Sequence, residues 1–309
     1  MESYMYDLVI IGSGPAGLSA AVYAKRACLD LVMVEKEPMG GGQMIYTQEV
    51  DNYLGLPGMG GFDLSQKFEE HAKKMGVPTQ NGEVANIEKV RDYWKVVLEA
   101  GEILETRTVL LATGASHRKL LVPGEERLTG AGVSYCATCD GAFFRDKTVA
   151  VVGGGDVALE DALYLAKGCK QVYLIHRRQE LRGAKILQEQ VAGESKITFL
   201  PDTVITQIYG DNKVDGVTLF NKKDESTKEL ALDGVFIAVG MNPQTETVEK
   251  LLCLDHGYVR AGEDGITDQP GLFVAGDVRT KRLRQIVTAV ADGANAVTSI
   301  IDYLSQREN

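Results

Sequence analysis

The chain has 309 residues, with 33 Lys plus Arg against 43 Asp plus Glu, a formal net charge of −10, 44% hydrophobic residues and 25% charged ones. That length suits about two domains, and an acidic chain without a basic block argues against a nucleic-acid backbone or an anionic membrane as its main partner. No apolar run approaches the roughly 18 to 20 residues of a bilayer span. The start Met1-Glu2-Ser3 carries no basic and then apolar leader, and Gln306-Arg307-Glu308-Asn309 is no retention tag, so a cytoplasmic protein is expected. In that reducing compartment Cys28, Cys136, Cys139, Cys169 and Cys253 should not form a stabilising disulfide framework.

The 34 glycines cluster where apolar runs end, the positions at which a backbone must approach something closely. The first run, Tyr6-Asp7-Leu8-Val9-Ile10-Ile11, ends in Gly12-Ser13-Gly14-Pro15-Ala16-Gly17, and residues 18–27 continue with helical spacing. Strand, glycine turn and helix follow one another, and the next run, Leu31-Val32-Met33-Val34, ends at Glu35. An acid about 20 residues beyond GxGxxG marks a dinucleotide site: the glycines admit a pyrophosphate at the helix N-terminus, and the carboxylate accepts from a ribose 2′-hydroxyl. Alone, Glu35 could be a solvated strand-end acid. Residues 108–112 form a further short strand, followed by Thr113-Gly114-Ala115.

Next comes Ser134-Tyr135-Cys136-Ala137-Thr138-Cys139-Asp140-Gly141. A CxxC can be half of a zinc or iron–sulfur site, a redox dithiol or chance. Zinc needs four ligands, yet no second CxxC or HxxxH exists and His71, His117, His176 and His256 are isolated, so no metal is expected. A redox dithiol needs only the pair and an electron source, with one thiol lowered in pKa as the nucleophile. Asp140 beside Cys139 is a candidate proton donor and acceptor, or simply part of an Asp-Gly turn.

The dinucleotide pattern then returns. Lys147-Thr148-Val149-Ala150-Val151-Val152 reads as a strand, Gly153-Gly154-Gly155-Asp156-Val157-Ala158 as GxGxxA, residues 159–167 as a helix and residues 171–175 as the next strand. At the discriminating position this unit carries His176-Arg177-Arg178 with Arg182 close by and no acid. Arginine forks suit a 2′-phosphate, so the first nucleotide is read as FAD and the second as NADPH. Residues 235–239 form a strand before Gly240, and residues 266–277 read as a buried strand ending in Gly276-Asp277 at an edge suited to a flavin dinucleotide. The last helix, residues 285–303, presents Ile286, Val290, Ala294, Val297 and Ile301 as its core face. Cys28, Cys169 and Cys253 read as small core or strand-end residues.

The expected fold is α/β, with two Rossmann-like, three-layer ββα nucleotide-binding domains and the NADPH domain inserted into the FAD domain. Residues 1–117 and 244–309 form the discontinuous FAD domain, and residues 118–243 the NADPH domain with the CxxC pair.

With these motifs together, and with Gly41-Gly42-Gln43 and Gly276-Asp277-Val278-Arg279 followed by Arg284-Gln285, the chain resembles the low-molecular-weight thioredoxin reductases over nearly its whole length. The resemblance implies a relay from NADPH to FAD, to the Cys136–Cys139 disulfide and on to thioredoxin. It implies that Cys139 faces the flavin, Cys136 attacks the partner and Asp140 handles the proton. It also implies FAD contacts at Gly12, Ser13, Gly14, Pro15, Ala16, Gly17, Glu35, Lys36, Gly42, Gln43, Asn52, Val84, Ala112, Thr113, Gly114, Gly276, Asp277, Arg284, Gln285 and Ile286. NADPH contacts are implied at Gly153, Gly154, Gly155, Asp156, Val157, Ala158, His176, Arg177, Arg178, Arg182, Val239 and Gly240. A homodimer is a family expectation, as is rotation of the NADPH domain on two crossings near residues 114–119 and 240–245.

Val157 stands where many members carry a hydroxyl, and Ala131 and Ala142 depart from the partner surface of the family. The alternatives are a same-fold reductase fed by ferredoxin or reduced flavin, one serving a thioredoxin-like partner, a dithiol oxidase, or a nucleotide-sensing binding protein in which the CxxC is incidental.

Overall fold

The structure, a computed structural model, describes residues 4–47 and 49–307. The chain divides into two compact units, the first made of Met1–Gln48, Tyr53–Ser116 and Asn242–Asn309, the second of Glu49–Asn52 and His117–Met241.

In the first unit the β-branched run Met5–Ile11 lies at the centre of a sheet ordered Thr79–Asn81, Leu31–Glu35, Met5–Ile11, Ile103–Leu111, Tyr93–Leu98, Val84–Val90. Leu31–Glu35, Ile103–Leu111 and Leu272–Val274 run parallel within it, and the ribbon from Val84 to Leu98 is antiparallel. Because side chains alternate along a strand, Leu8 and Ile10 enter one apolar cluster while Val9 and Ile11 enter the opposite one. The helices Pro15–Arg26 and Ile286–Ser305 contribute Ala20, Ala24, Val297 and Ile300 to the first cluster. The antiparallel strands contribute Ile87, Trp94 and Val96 to the second. Sheet, helices and antiparallel ribbon make three layers.

The second unit repeats this plan. Its parallel sheet is ordered Ile197–Leu200, Gln171–Ile175, Thr148–Gly153, Gly234–Ala238, Val133–Ser134. Helices Asp156–Ala166 and Lys185–Gly193 pack on one face through Leu159, Leu165 and Val191. The antiparallel strands Thr203–Tyr209, Gly216–Asn221 and Thr227–Ala231 form a second sheet, from which Ile205, Ile208 and Val217 join Ala150 and Val152 in one apolar cluster. Where the chain passes between units, Ala115–His117 and Met241–Pro243 pair as a two-stranded ribbon. No described helix is long and apolar enough to cross a membrane.

Three expectations need correction. The core face of the last helix is Ala289, Asp292, Gly293, Ala296, Val297, Ile300 and Leu304. Of the five expected residues only Val297 is buried. The cause is Gly293: a Cβ there would lie 2.2 Å from the Ala16 carbonyl oxygen, so this helix meets Pro15–Arg26 on a strip of small residues rather than on its bulkiest stripe. The buried strand expected at 266–277 is confined to Leu272–Val274, while Ile266 is exposed and bridges back to Phe273. Cys169 is buried and Cys253 lies exposed just before the strand Leu254–Asp255, both within the reading of core or strand end, but Cys28 is exposed in the left-handed region (φ 60°) just after the first helix.

Replacing Gly293 by Val should push the two helices apart, lowering stability by about 1–3 kcal/mol or more in denaturant titration. An unchanged midpoint would show that the helices do not depend on that approach.

Candidate active site

The first glycine turn is shaped by close approaches. Gly12 has φ +104°, and a Cβ there would lie 2.6 Å from the Ala112 carbonyl oxygen. A Cβ on Gly17 would lie 1.9 Å from the Gly12 carbonyl oxygen, so only glycine lets helix and strand meet here. Gly14, by contrast, faces open space and begins a helix with no side-chain cap, Pro15 at its first position and no acid in its first turn. Those N-terminal amides and the positive end of the helix face outward together, a setting for a phosphate.

Glu35 stands beside this turn, its Oε2 accepting from both the Ser13 amide and hydroxyl at 2.7 Å. Gly42 lies over Gly14, its built Cβ 3.5 Å from the Gly14 Cα, and the Gln43 side-chain amide donates to the Ala115 carbonyl. Thr113 donates to the Gln244 carbonyl, fixing the strand end before Gly114 at φ +70°. Lys36 pairs with Glu83 at 3.8 Å, next to half-buried Val84. Asn52 stands apart, grouping with the second unit.

Gly276 closes onto Ala16, with 2.9 Å to a built Cβ, and starts the short turn Gly276–Val278. Asp277 Oδ1 is buried there without a hydrogen-bond partner, and burial pushes its carboxyl above the usual range while Lys281 and Arg284 oppose the shift. An acceptor held so is suited to a ligand hydroxyl. Gln285 caps the last helix in a capping box with Thr288, Ile286 is its first residue, and the Arg284 guanidinium lies 4.0 Å over the Tyr258 ring.

Asp292 and Lys281 escape the sequence reading, which names Arg279 only as part of a motif, although the three hold this corner. Asp292, 5% exposed, accepts from Arg279 Nε at 2.9 Å and Nη2 at 2.5 Å, from Lys281 Nζ at 2.8 Å and from the Gly276 amide at 3.0 Å. Stripping one partner from such a buried network costs about 3–5 kcal/mol. The available signal was a lone acid in an otherwise apolar stretch of helix.

In the second unit a Cβ on Gly153 would lie 2.4 Å from the Ala238 carbonyl oxygen and 2.5 Å from Ala158 Cβ, and one on Gly154 would strike the His176 ring at 2.4 Å. Gly155 faces open space. Asp156 turns its carboxylate to the Ala184 amide at 2.7 Å, and Val157 is 63% exposed in the first helical turn. Arg182 donates its amide to the Gly154 carbonyl at 2.6 Å, which brings the arginine segment to the glycine turn. Arg177, Arg178 and Arg182 are exposed and, among the described residues, make no ion pair; burial and their three charges hold the His176 imidazole below its ordinary pKa. Three unpaired guanidinium groups beside a glycine turn suit a phosphate dianion. Val239 and Gly240 (φ +112°) follow the neighbouring strand end.

Cys136 and Cys139 are joined as a disulfide, Cα to Cα 5.3 Å, with Cys136 at the N-cap of the short helix Ala137–Asp140. Cys136 Sγ accepts the Cys139 amide at 3.2 Å and lies 3.4 Å from the exposed Thr138 hydroxyl. Asp140 is largely buried and takes the Ser134 hydroxyl at 2.5 Å; desolvation pushes its carboxyl up, and the hydrogen bond opposes this. Asp140 is thus a group that keeps its proton further toward neutrality than an exposed acid. Among the described residues no group of three or more His, Cys, Asp or Glu is placed to hold a metal.

Residues 6–293 match the family described as pyridine nucleotide-disulphide oxidoreductase. The chain is 43% identical over 307 residues to a thioredoxin reductase of Listeria monocytogenes serovar 1/2a, covering 99% of this chain and 96% of that one. It is 42% identical, with the same coverage, to a thioredoxin reductase of Bacillus subtilis (strain 168). Its fold superposes on the crystal structure of thioredoxin reductase from Streptococcus pyogenes MGAS5005 with a TM-score of 0.93 at 45% identity, covering 98% of this chain and 99% of that one. The chain belongs to the pyridine nucleotide-disulphide oxidoreductase family, among its thioredoxin reductases.

Proposed function

We propose that this chain reduces thioredoxin with electrons from NADPH, by way of FAD and the Cys136–Cys139 pair. The observation that carries this reading is a CxxC disulfide next to a half-buried acid in a chain with two different glycine turns, one beside Glu35 and the other beside three unpaired arginines. We assign FAD to residues 1–117 and 244–309 and NADPH to residues 118–243. When bound, NADPH supplies a hydride and FAD carries the electron pair to a disulfide.

The residues present fit both groups. The open face at Gly14 and the uncapped helix behind it take a pyrophosphate, and the buried Asp277 Oδ1, which has an ion-pair partner in Lys281 at 3.8 Å but no hydrogen bond, takes a ligand hydroxyl. Glu35 has lone pairs left for a ribose beyond the donors it already accepts. At the second turn Gly155 leaves the backbone open, Asp156 is turned aside, and Arg177, Arg178 and Arg182 offer forked donors to a 2′-phosphate.

The exchange step uses this chain's own atoms. In the reduced pair Cys136 is the attacking thiolate: in the disulfide its sulfur already accepts the Cys139 amide and sits beside exposed Thr138, on the open side of the pair. Cys136 Sγ attacks one sulfur of the partner disulfide, forming a mixed disulfide and releasing the other partner sulfur as a thiolate. Cys139 Sγ then attacks Cys136 Sγ, the mixed bond breaks, and the partner leaves with two thiols while Cys136–Cys139 is oxidised. Asp140, whose hold on a proton burial strengthens, supplies a proton to the leaving thiolate and takes one from Cys139. Thioredoxin, or a thioredoxin-like protein, is the proposed partner. The free Cys28, Cys169 and Cys253 suit a reducing cytoplasm. A homodimer follows from the resemblance alone.

Anaerobic titration tests the donor: NADPH should bleach the flavin of the yellow protein stoichiometrically, and bleaching only by ferredoxin or reduced flavin would overturn this reading. Cys136→Ser and Cys139→Ser should each abolish NADPH-coupled turnover with thioredoxin while flavin stays bound; retained turnover in either would sink the dithiol step. Arg177→Ala with Arg178→Ala should raise KM for NADPH about tenfold or more, the worth of lost charge-assisted hydrogen bonds, and leave KM for NADH nearly unchanged. Equal effects on both nucleotides would remove the assignment to the 2′-phosphate.

A further inference from the structure

The residue just before the redox pair is held by contacts that thiol–disulfide exchange does not itself use. Tyr135 stacks its ring on the His117 imidazole, centroids 5.0 Å apart and planes 22° from parallel. Its hydroxyl donates to Glu125 Oε1 at 2.8 Å. Glu125 is 2% exposed, and its carboxylate also takes the amides of Leu120 at 2.8 Å and Leu121 at 2.7 Å. The carboxylate is therefore buried and fixed by directed donors, a rigid anchor for a phenol. His117 ends the strand Ala115–His117, and burial holds its imidazole down at about 4, so it stacks as a neutral ring at neutral pH. One residue further, Ser134 Oγ accepts the Cys136 amide at 3.1 Å. The backbone entering Cys136 is pinned at two successive residues.

We propose that Tyr135 is a positioning residue for the Cys136–Cys139 pair: clamped between the His117 ring and the Glu125 carboxylate, it fixes the backbone that carries Cys136 and sets how readily the disulfide closes. This deepens, and rests on, the reading of that pair as the redox centre. Closing a CxxC disulfide is an intramolecular reaction, so its equilibrium follows the effective concentration of one sulfur at the other. A loop free to swivel at residue 135 spends more time with the sulfurs apart, which favours the dithiol. The ring and the hydroxyl act separately, since stacking needs only an aromatic face and the bond to Glu125 needs the oxygen.

The test equilibrates the flavin-loaded protein anaerobically in graded glutathione buffers. There the enzyme disulfide and two glutathione thiols give the enzyme dithiol and one glutathione disulfide, two electrons and two protons moving together. Alkylation and mass analysis of the tryptic peptide of residues 128–145, which contains no other cysteine, read the fraction reduced. Tyr135→Ala and His117→Ala should shift the midpoint toward the dithiol by about three- to tenfold in the glutathione ratio, Tyr135→Phe by less, and His117→Phe should restore the wild-type midpoint. Flavin content and melting temperature report folding; should Tyr135→Ala not fold, the His117→Ala and His117→Phe pair decides alone. Coincident midpoints for wild type and His117→Ala, or a shift in His117→Phe as large as in His117→Ala, would overturn the clamp. If turnover still requires both cysteines in that event, the proposed function stands while the clamp falls.

Discussion

At each of two turns a strand and the helix after it come so close that no side chain fits between them. The built Cβ distances of 1.9 Å from Gly17 to the Gly12 carbonyl oxygen and 2.5 Å from Gly153 to Ala158 Cβ state that constraint in numbers. Much of the chemistry around them follows from it. The close approach swings the helix N-terminus round to the strand end, where its unpaired amides meet whatever lies above the sheet. At the first turn the next strand ends in a carboxylate, at the second in a buried imidazole and exposed guanidinium groups, so one backbone solution carries two opposite charge settings.

The dithiol is governed by another balance. Ser134 and Asp140 form a short hydrogen bond, while burial raises the cost of the Asp140 charge. Desolvation wins over the hydroxyl donor, because one neutral hydrogen bond replaces only part of the hydration a carboxylate loses. A sulfur that accepts an amide and an acid whose pKa burial raises stand side by side, and a helix of four residues, Ala137–Asp140, is enough to hold them at that spacing.

Much of this was legible in the sequence because it is local. The runs ending at Ile11 and Ile175, both glycine turns and the CxxC declare themselves within a few residues, since each is a backbone requirement met by residue type. What escaped is long-range. The buried face of the last helix is set by Gly293 against Ala16, a contact across most of the chain that outranks the apolar stripe through Ile286 and Val290. Asp292 was hidden for the same reason: its partners Arg279, Lys281 and Gly276 come from the strand end and loop that precede the helix, and no periodicity marks a carboxylate as paired. The positive φ of Cys28 likewise reflects the end of a helix, where composition alone suggested a core or strand-end residue.

The unpaired arginines at the second turn sit in a chain whose net charge is −10. On the proposed reading, an anionic dinucleotide is drawn to those guanidinium groups against the repulsion of the net charge, and both effects are screened beyond about 8 Å at physiological salt. Capture at the proposed site would then be a short-range event, with rejection of wandering polyanions and retention of one small anion both coming from the same uneven distribution of charge.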